Sequence, residues 1–424
     1  MSGRSLIPIG NGEPFGSPLL FWAAVHIFAL SCIPFPRTFQ PSGGGEGMIR
    51  WELGRVEEVL EEREEIQRLK VRLVESGETG TAVHYPPLLG RVEAGDEVWL
   101  NATAVRLSLG TGGNHFVGWV NRPPRSTPVR GHIMKLRYTP WQIALRTGEE
   151  QGSPHHEILR DCRSLEGAPV LIGELHSMLP VAVSTWRYLA DREGAEPRIV
   201  YVMTDGGALP IALSRHVQTL TELGWLNGTV TAGHAFGGTL EAVNLYSGLL
   251  LAVHALKADL VFVSMGPGIV GTETAYGFTG VEQGQAINAV HSLGGVPVAI
   301  PRLQKADRRL RHRGLSHHTR TVLASVALAP AVVPHPEDQD LSELRRTAKA
   351  KHHWIPFRLS LEQVAERMSA YPLAVRTMGR TLEEDPLFFT TVAGAAETAW
   401  RLWRDLSDGL APAESIARLA SGNG

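Results

Sequence analysis

Short apolar runs alternate with helix-like stretches through the middle of the chain, and this alternation restricts the fold more than any other feature of the sequence. The five runs are 169–172, 198–203, 229–231, 259–264 and 296–300. Four of them are predominantly apolar, as strands buried on both faces are, and 229–231 is a short β-branched run. Buried strands that alternate with helices form a parallel sheet covered on both faces. We therefore predict a Rossmann-like three-layer α/β sandwich with a mostly parallel sheet over residues 165–335.

The segments on either side of this α/β domain have different patterns. Residues 48–150 contain short alternating runs separated by Gly and polar residues, which predicts a small β-rich, barrel-like domain. Residues 340–424 are predicted to form C-terminal helices, because 361–368 and 392–406 have apolar residues at 3.6-residue spacing. The apolar face of 392–406 suits packing against the α/β domain or against a second copy of the chain. A homo-oligomer through these helices is therefore one expectation.

The first 47 residues do not resemble a folded domain. Residues 19–33 form an apolar run that is shorter than the roughly 20 residues of a membrane-spanning helix. Only Arg4 supplies positive charge before it, and no A-x-A-type cleavage site follows. We interpret 1–47 as an incorrectly assigned start or a disordered extension, because GGGEG directly before Met48 is what a ribosome-binding site would encode if translated. An export signal and a membrane anchor are the alternatives.

Cysteine content and net charge restrict the compartment and the partners. Without residues 1–47, Cys162 is the only cysteine, which predicts a cytoplasmic protein without disulfides. The chain has 41 Lys and Arg against 43 Asp and Glu, for a formal net charge of −2. A dedicated nucleic-acid-binding protein is normally basic. We therefore expect neither a membrane nor a nucleic acid as the main partner.

Acid–base residues lie in the loops after the predicted strands. Ligands of open α/β sheets bind outside the carboxyl ends of the strands, so these loops should share one edge. Three of the loops contain His176, Asp205 and His234. If the protein is an enzyme, we predict a hydrolase or transferase in which these three are the catalytic base and its orienting groups. Hydrogen-bonded structural histidines are the alternative. The three lack the local spacing of metal ligands, so we assign no metal site and leave the cofactor open.

Glycines are concentrated in three of the same loops. Glycine-rich turns let backbone N–H groups converge on an anion, and a helix N-terminus adds positive potential. The residues predicted to bind a ligand in this way are Gly206, Gly207, Gly237, Gly238, Gly266, Gly268, Gly271 and Thr272. Gly237 and Gly238 have the best expected geometry, because a helix is predicted to begin near Leu240. Residues 266–271 have the form G-x-G-x-x-G, but Pro267 removes an amide donor, which argues against a dinucleotide site. Tight turns without a ligand are the alternative.

A basic segment follows the fifth predicted strand. Residues 305–320 contain six Lys or Arg, three His and one Asp. Guanidinium groups match phosphate oxygens, so Arg311 and Arg313 are predicted to hold an anion, with His317 and His318 as a base or as ligand-binding groups. The expected ligand is a small anionic, phosphorylated metabolite. A non-catalytic binding or sensor protein and a nucleic-acid-associated protein using this segment are the alternatives.

Several longer motifs resemble one bacterial family. They are YVMTDGGALPIALS at 201–214, GHAFGGTLEAVNLYSG at 233–248, MGPGIVGT at 265–272 and RHRGLSHH at 311–318. The family is known only as a domain of unknown function, and the resemblance covers about residues 48–400. It implies membership but no activity, so no catalytic residue is transferred from it.

Overall fold

The computed structural model describes residues 47–110, 112–123 and 131–422. The hypotheses about residues 1–46 lie outside these described residues. Within the described part of the chain, no helix is both long enough and apolar enough to cross a membrane.

The first module is a closed five-stranded barrel. Its strands are β1 (Trp51–Glu62), β2 (Gln67–Leu73), β3 (Thr79–His84), β4 (Glu97–Asn101) and β5 (Asn114–Val120), with two single-turn helices, α1 (Pro86–Leu89) and α2 (Thr103–Arg106). The strand order is β1-β2-β3-β5-β4, and β4 closes on β1. Alternate side chains such as Val56, Leu69 and Val98 fill the interior and are almost fully buried. Period-two alternation therefore produces the small β-rich module that the sequence predicts.

A short hairpin precedes the α/β region. It consists of β6 (Ile133–Lys135) and β7 (Ile143–Leu145), and α3 (His156–Arg160) follows. Lys135 is buried, and its ammonium donates to the carbonyl of Ala235 at 2.6 Å and to the carboxylate of Glu241 at 2.7 Å. A buried charge is tolerated only with such partners. Lys135 thus holds the loop of Ala235 against the hairpin.

An eight-stranded sheet forms the centre of the α/β region, and all its strand pairs are parallel. Its strands are β8 (Pro169–Ile172), β9 (Ile199–Thr204), β10 (Gly228–Thr231), β11 (Leu240–Glu241), β12 (Leu260–Met265), β13 (Val296–Ala299), β16 (Val332–Pro336) and β17 (His353–Phe357). The order across the sheet is β11-β10-β9-β12-β8-β13-β16-β17. A separate two-stranded hairpin is made by β14 (Leu303–Gln304) and β15 (Gly314–Leu315).

Helices cover both faces of this sheet. They are α4 (Met178–Glu193), α5 (Arg215–Glu222), α6 (Leu245–Leu250), α7 (Glu282–Ser292), α8 (His317–Thr321), α9 (Ser342–Thr347), α10 (Leu361–Met368), α11 (Pro386–Ser407) and α12 (Pro412–Ala420). On one face Tyr201 and Phe262 pack with residues of α4 and α11, and on the other Val200 and Val261 pack with residues of α6 and α7. Successive residues of one strand therefore point to opposite faces of the sheet and belong to two separate apolar cores. The predicted three-layer sandwich with a parallel sheet is confirmed.

Two local expectations differ from the structure. Residues 340–424 are expected to be helical, but they include the edge strand β17, and β16, at the end of the predicted α/β domain, is not among the predicted strands. These strands contain Pro334, Pro336 and Pro356. Because proline is confined to edges and bulges in most sheets, their sequences do not predict strands. The helix expected near Leu240 begins instead at Leu245, where Asn244 accepts the N–H of Ser247 as its cap.

The C-terminal helix α11 packs within the chain. Ala395, Ala399 and Trp400 are almost fully buried, and the indole of Trp186 on α4 donates to the carbonyl of Ala396 at 2.8 Å. Of the two roles expected for this apolar face, the structure uses it against the α/β domain.

Candidate functional site

Two cavities lie at the carboxyl edge of the parallel sheet. The first, the Asp205 cavity, has a volume of about 280 Å³. It is lined by Ile133, Met134, Arg137, Thr204, Asp205, Ala232, Gly233, His234, Val243, Asn244 and Leu245. The second, the arginine pocket, has a volume of about 40 Å³. It is lined by Ile269, Val270, Gly271, Thr272, Arg302, Arg309, Arg311, His312, His318 and Met378.

Asp205 and His234 share the first cavity, but they are not joined through the imidazole ring. Asp205 Oδ2 accepts the backbone N–H of His234 at 2.9 Å. The ring atom Nδ1 of His234 accepts the N–H of Leu136 at 2.9 Å, so a neutral ring carries its proton on Nε2. Asp205 therefore positions the loop of His234, and the nearby Nη2 of Arg137 is 3.4 Å from His234 Nε2.

His176 is not among the residues that line this cavity. Its side chain is buried, with Nδ1 3.2 Å from the hydroxyl of Tyr201 and Nε2 2.6 Å from the hydroxyl of Ser214. Burial lowers the pKa of His176 to about 3, and the nearby His216 adds to this shift. Both ring nitrogens already have partners, and the structure brings together only two of the three predicted catalytic residues.

Glu282 is a residue of this edge that the sequence reasoning missed. It begins α7, and its Oε1 accepts the hydroxyl of Thr204. Burial raises the pKa of Glu282 to about 7; the charge of Asp205 adds to the shift and the Thr204 hydrogen bond opposes it. A carboxyl group that titrates near neutral pH beside a second carboxyl group can exchange protons with a substrate. The sequence carries one indirect sign of this contact, the glycine at 206. A Cβ at that position would lie 2.3 Å from Glu282 Oε2, so a larger residue would collide with the carboxylate.

Most of the predicted anion-binding glycines support the loops themselves. The N–H of Gly237 donates to Glu241 Oε1 at 2.7 Å, and that of Gly238 donates to Thr231 Oγ1 at 3.1 Å. Because β11 rather than a helix follows them, these two N–H groups donate to side chains of the sheet edge itself. Gly207 and Gly266 allow two loops to touch, since a Cβ on Gly207 would lie 2.4 Å from the carbonyl oxygen of Gly266. Gly268 has open space around it at φ +107°, and Gly271 and Thr272 line the arginine pocket.

The arginine pocket is built around a buried ion pair. The side chains of Glu174 and Arg302 are 0% and 1% exposed, and Arg302 Nη1 donates to Glu174 Oε1 at 3.0 Å. Burial opposes ionisation of Glu174, but Arg302 and His318 outweigh it and hold the pKa of the carboxyl below its ordinary value. Arg302 Nη2 and Arg311 Nε are buried and have no hydrogen-bond partner among the described residues.

Three histidines meet beside this pair. His318 Nδ1 is 2.6 Å from Glu174 Oε1, and His312 Nδ1 is 2.8 Å from the hydroxyl of Ser316. The rings of His317 and His318 have centroids 4.3 Å apart, and those of His312 and His318 are 4.8 Å apart. Burial lowers the pKa of His312 to about 3, and the positive charge of Arg302 contributes.

Three other basic residues of the 305–320 segment, Arg309, Arg313 and Arg320, are held in the fold. Arg309 donates to both carboxylate oxygens of Asp307, and Arg313 Nε donates to the Asp307 carbonyl at 2.8 Å. Arg320 pairs with Glu343. Arg313, which was predicted to hold the anion, does not line the pocket, whereas Arg302 and Arg309 do. Arg309, Arg313 and Arg320 therefore already have partners within the chain.

Comparison with known proteins gives one family match. A family model described as "Protein of unknown function (DUF3866)" matches residues 81–396, about three quarters of the chain. No curated protein and no solved structure matches the chain. The match covers the hairpin, the sheet edge and both cavities.

Proposed function

The chain belongs to this family of proteins of unknown function (DUF3866), and we propose that it binds a small oxyanion, the phosphate group of a metabolite, in the arginine pocket. The supporting observation is that Arg302 Nη2 and Arg311 Nε are both buried without a hydrogen-bond partner among the described residues, on side chains that line the same pocket. The nearest carboxylate oxygen to Arg302 Nη2, Asp307 Oδ2, is 3.8 Å away, beyond hydrogen-bond distance. A buried charged donor left without an acceptor is costly. A phosphate oxygen would supply the missing acceptor to both.

The charges around the pocket favour this ligand. Arg302 is fixed by the buried Glu174, so its guanidinium is held in place before a ligand arrives. Arg311 pairs with Glu273, whose side chain is 82% exposed. Exposed ion pairs contribute little, so an oxyanion can displace Glu273 from Arg311 at small cost. The planar donor array of arginine matches phosphate geometry.

The size of the pocket limits how much of a ligand it can hold. A volume of about 40 Å³ is a few times the roughly 10–15 Å³ that one water requires. The pocket therefore suits a group of phosphate size, and the rest of a phosphorylated metabolite would lie outside it.

Inorganic phosphate is expected to stabilise the protein through this pocket. Binding to the folded chain alone raises the free energy of unfolding, by about 2.7 kcal/mol at 100 times Kd. Arg311→Gln should weaken phosphate binding about tenfold or more, because it removes one charged donor. Thermal unfolding in a phosphate series, at ionic strength balanced with chloride, measures both effects.

The matched control for that experiment is Arg320→Gln, an exposed arginine of the same segment that pairs with Glu343. Its phosphate response should equal that of the wild type. Equal responses of wild type and Arg311→Gln, or a response no larger than that to chloride, would refute the proposal.

Acid–base chemistry in the Asp205 cavity is a second candidate function. It is favoured by Glu282, which does not line the cavity but accepts the hydroxyl of the lining residue Thr204, and whose pKa burial and the charge of Asp205 raise to about 7. In a screen of phosphorylated metabolites for phosphate release or transfer, we expect Asp205→Asn to reduce turnover about 100-fold or more, the usual cost of losing a general base. Turnover that survives this change would exclude Asp205 as a catalytic residue. Binding without any turnover would identify a sensor or binding protein.

We also propose a reducing compartment, the cytoplasm, as the location. Within the described residues Cys162 is a free, half-buried cysteine. Proteins that mature in oxidising compartments commonly use disulfides.

A further inference from the structure

His312, His317 and His318 form a cluster, and two of them, His312 and His318, line the arginine pocket. Each offers one ring nitrogen, and these three nitrogens lie within 4.8 Å of one another. The three residues come from the turn after β14 and from the start of α8, and the β14–β15 hairpin brings them together. We call this group the histidine cluster.

In two members of the cluster, ring atom Nδ1 already has a hydrogen-bond partner. His318 Nδ1 bonds to the buried carboxylate of Glu174, and His312 Nδ1 bonds to the hydroxyl of Ser316. These contacts leave Nε2 of both rings for another partner. Metal-binding histidines almost always direct their second nitrogen to a carboxylate, hydroxyl or carbonyl in this way, because the contact fixes the ring and its tautomer.

Two further observations point to a missing partner inside the cluster. His317 Nε2 is buried and has no hydrogen-bond partner among the described residues. His318 is stacked on Phe278 with centroids 3.8 Å apart and an angle of 2°, so its ring is held in one orientation. Beside it, Gly271 has no side chain, and a Cβ there would stand 3.4 Å from His318 Nε2. The ring of His318 is therefore held with its Nε2 beside the backbone of Gly271.

We propose that the histidine cluster binds one divalent transition-metal ion of the zinc class. Imidazole nitrogen suits zinc, copper, nickel and iron rather than magnesium or calcium, which prefer oxygen. Three protein ligands leave one position of a tetrahedral ion open, as in catalytic zinc sites. Zn–N bonds of about 2.0–2.1 Å place tetrahedral nitrogens about 3.4 Å apart, so nitrogens as far apart as the 4.8 Å limit would have to close by about 1.4 Å through small rotations of the rings. Since His312 and His318 line the arginine pocket, the open position adjoins the proposed oxyanion site.

The test is metal binding by the full chain after removal of metals with a chelator, in phosphate-free buffer. Titration with Zn²⁺ followed by calorimetry should give one ion per chain. His317→Gln should weaken binding about 100-fold or more, since even outer partners of metal ligands are worth 10–100-fold. His353→Gln, at an exposed histidine on the edge strand β17, should bind as the wild type does.

A second measurement does not depend on the variants folding. Co²⁺ added to the wild-type chain should give the intense visible absorption of a tetrahedral nitrogen-ligated ion, and Zn²⁺ should displace it. Absence of stoichiometric Zn²⁺ or Co²⁺ binding by the wild type would overturn the proposal. Equal Zn²⁺ affinity of wild type and His317→Gln would do so as well.

The metal proposal and the oxyanion proposal can fail separately. Phosphate titration of the wild type in excess chelator reports on Arg302 and Arg311 without a metal ion. If the chain binds phosphate but no metal ion, the oxyanion proposal is supported and the metal proposal is refuted. If the chain binds a metal ion but does not bind phosphate in the presence of chelator, the metal proposal is supported and the oxyanion proposal is refuted.

Discussion

Replacing Glu174 with alanine is expected to lower the free energy of unfolding by about 3–5 kcal/mol, the range for removing one partner of a buried ion pair. Arg302 would remain 1% exposed, with only Gln304 as a close polar partner at 2.8 Å and Asp307 at 3.8 Å. His318 would lose its acceptor at the same time. Urea unfolding at neutral pH, in buffer free of phosphate and metal ions, measures the loss.

Glu273→Ala is the matched control, because it removes a carboxylate from Arg311 at a site where that carboxylate is 82% exposed. Its cost should stay below about 1 kcal/mol. The paired replacement Glu174→Met with Arg302→Met should recover much of the loss, because neither buried charge is then left alone. A loss below about 1 kcal/mol for Glu174→Ala alone would mean that water reaches Arg302.

The layered fold could be predicted because its information is local. Strands β8, β9, β12 and β13 are predominantly apolar, β10 is rich in β-branched residues, and the helices between the strands have 3.6-residue spacing. The order of the strands could not be predicted, because the central position of β8 between β12 and β13 depends on contacts between distant segments. The last two strands, β16 and β17, were not predicted because they contain prolines, and the positions in a sheet that tolerate proline are visible only in three dimensions.

The candidate site was partly predictable for the same reason. The rule that ligands bind at the carboxyl edge selects the loops that contain Asp205 and His234, which do share a cavity. The partners that decide the chemistry come from other strands. Glu174, Glu282 and Arg302 follow β8, β12 and β13, and they acquire their roles only through contacts with residues from other segments. A sequence pattern contains the residue types at such a site but not their pairing.

Glu282→Gln is expected to stabilise the protein at alkaline pH and to have little effect near pH 5. The folded state holds the pKa of Glu282 at about 7, against an ordinary value of 4.5. Between these values the folded chain binds the proton more tightly, so the stability of the wild type falls as pH rises from about 4.5 through 7. Glutamine cannot ionise and escapes that loss, and its carbonyl can still accept the hydroxyl of Thr204. The gain at pH 8 should be about 2–3 kcal/mol.

Unfolding by urea at intervals between pH 5 and pH 8.5 measures the difference between Glu282→Gln and wild type. Glu343→Gln, at an exposed carboxylate paired with Arg320, is the control and should show a small difference that does not change with pH. The sign of the pH dependence is the decisive result. A gain that is equal at pH 5 and pH 8 would show that glutamine packs better but that the carboxyl of Glu282 ionises normally. A gain that grows with pH would instead show that the folded chain disfavours a negative charge at the buried Glu282, so that this carboxyl group next to Thr204 holds a proton near neutral pH.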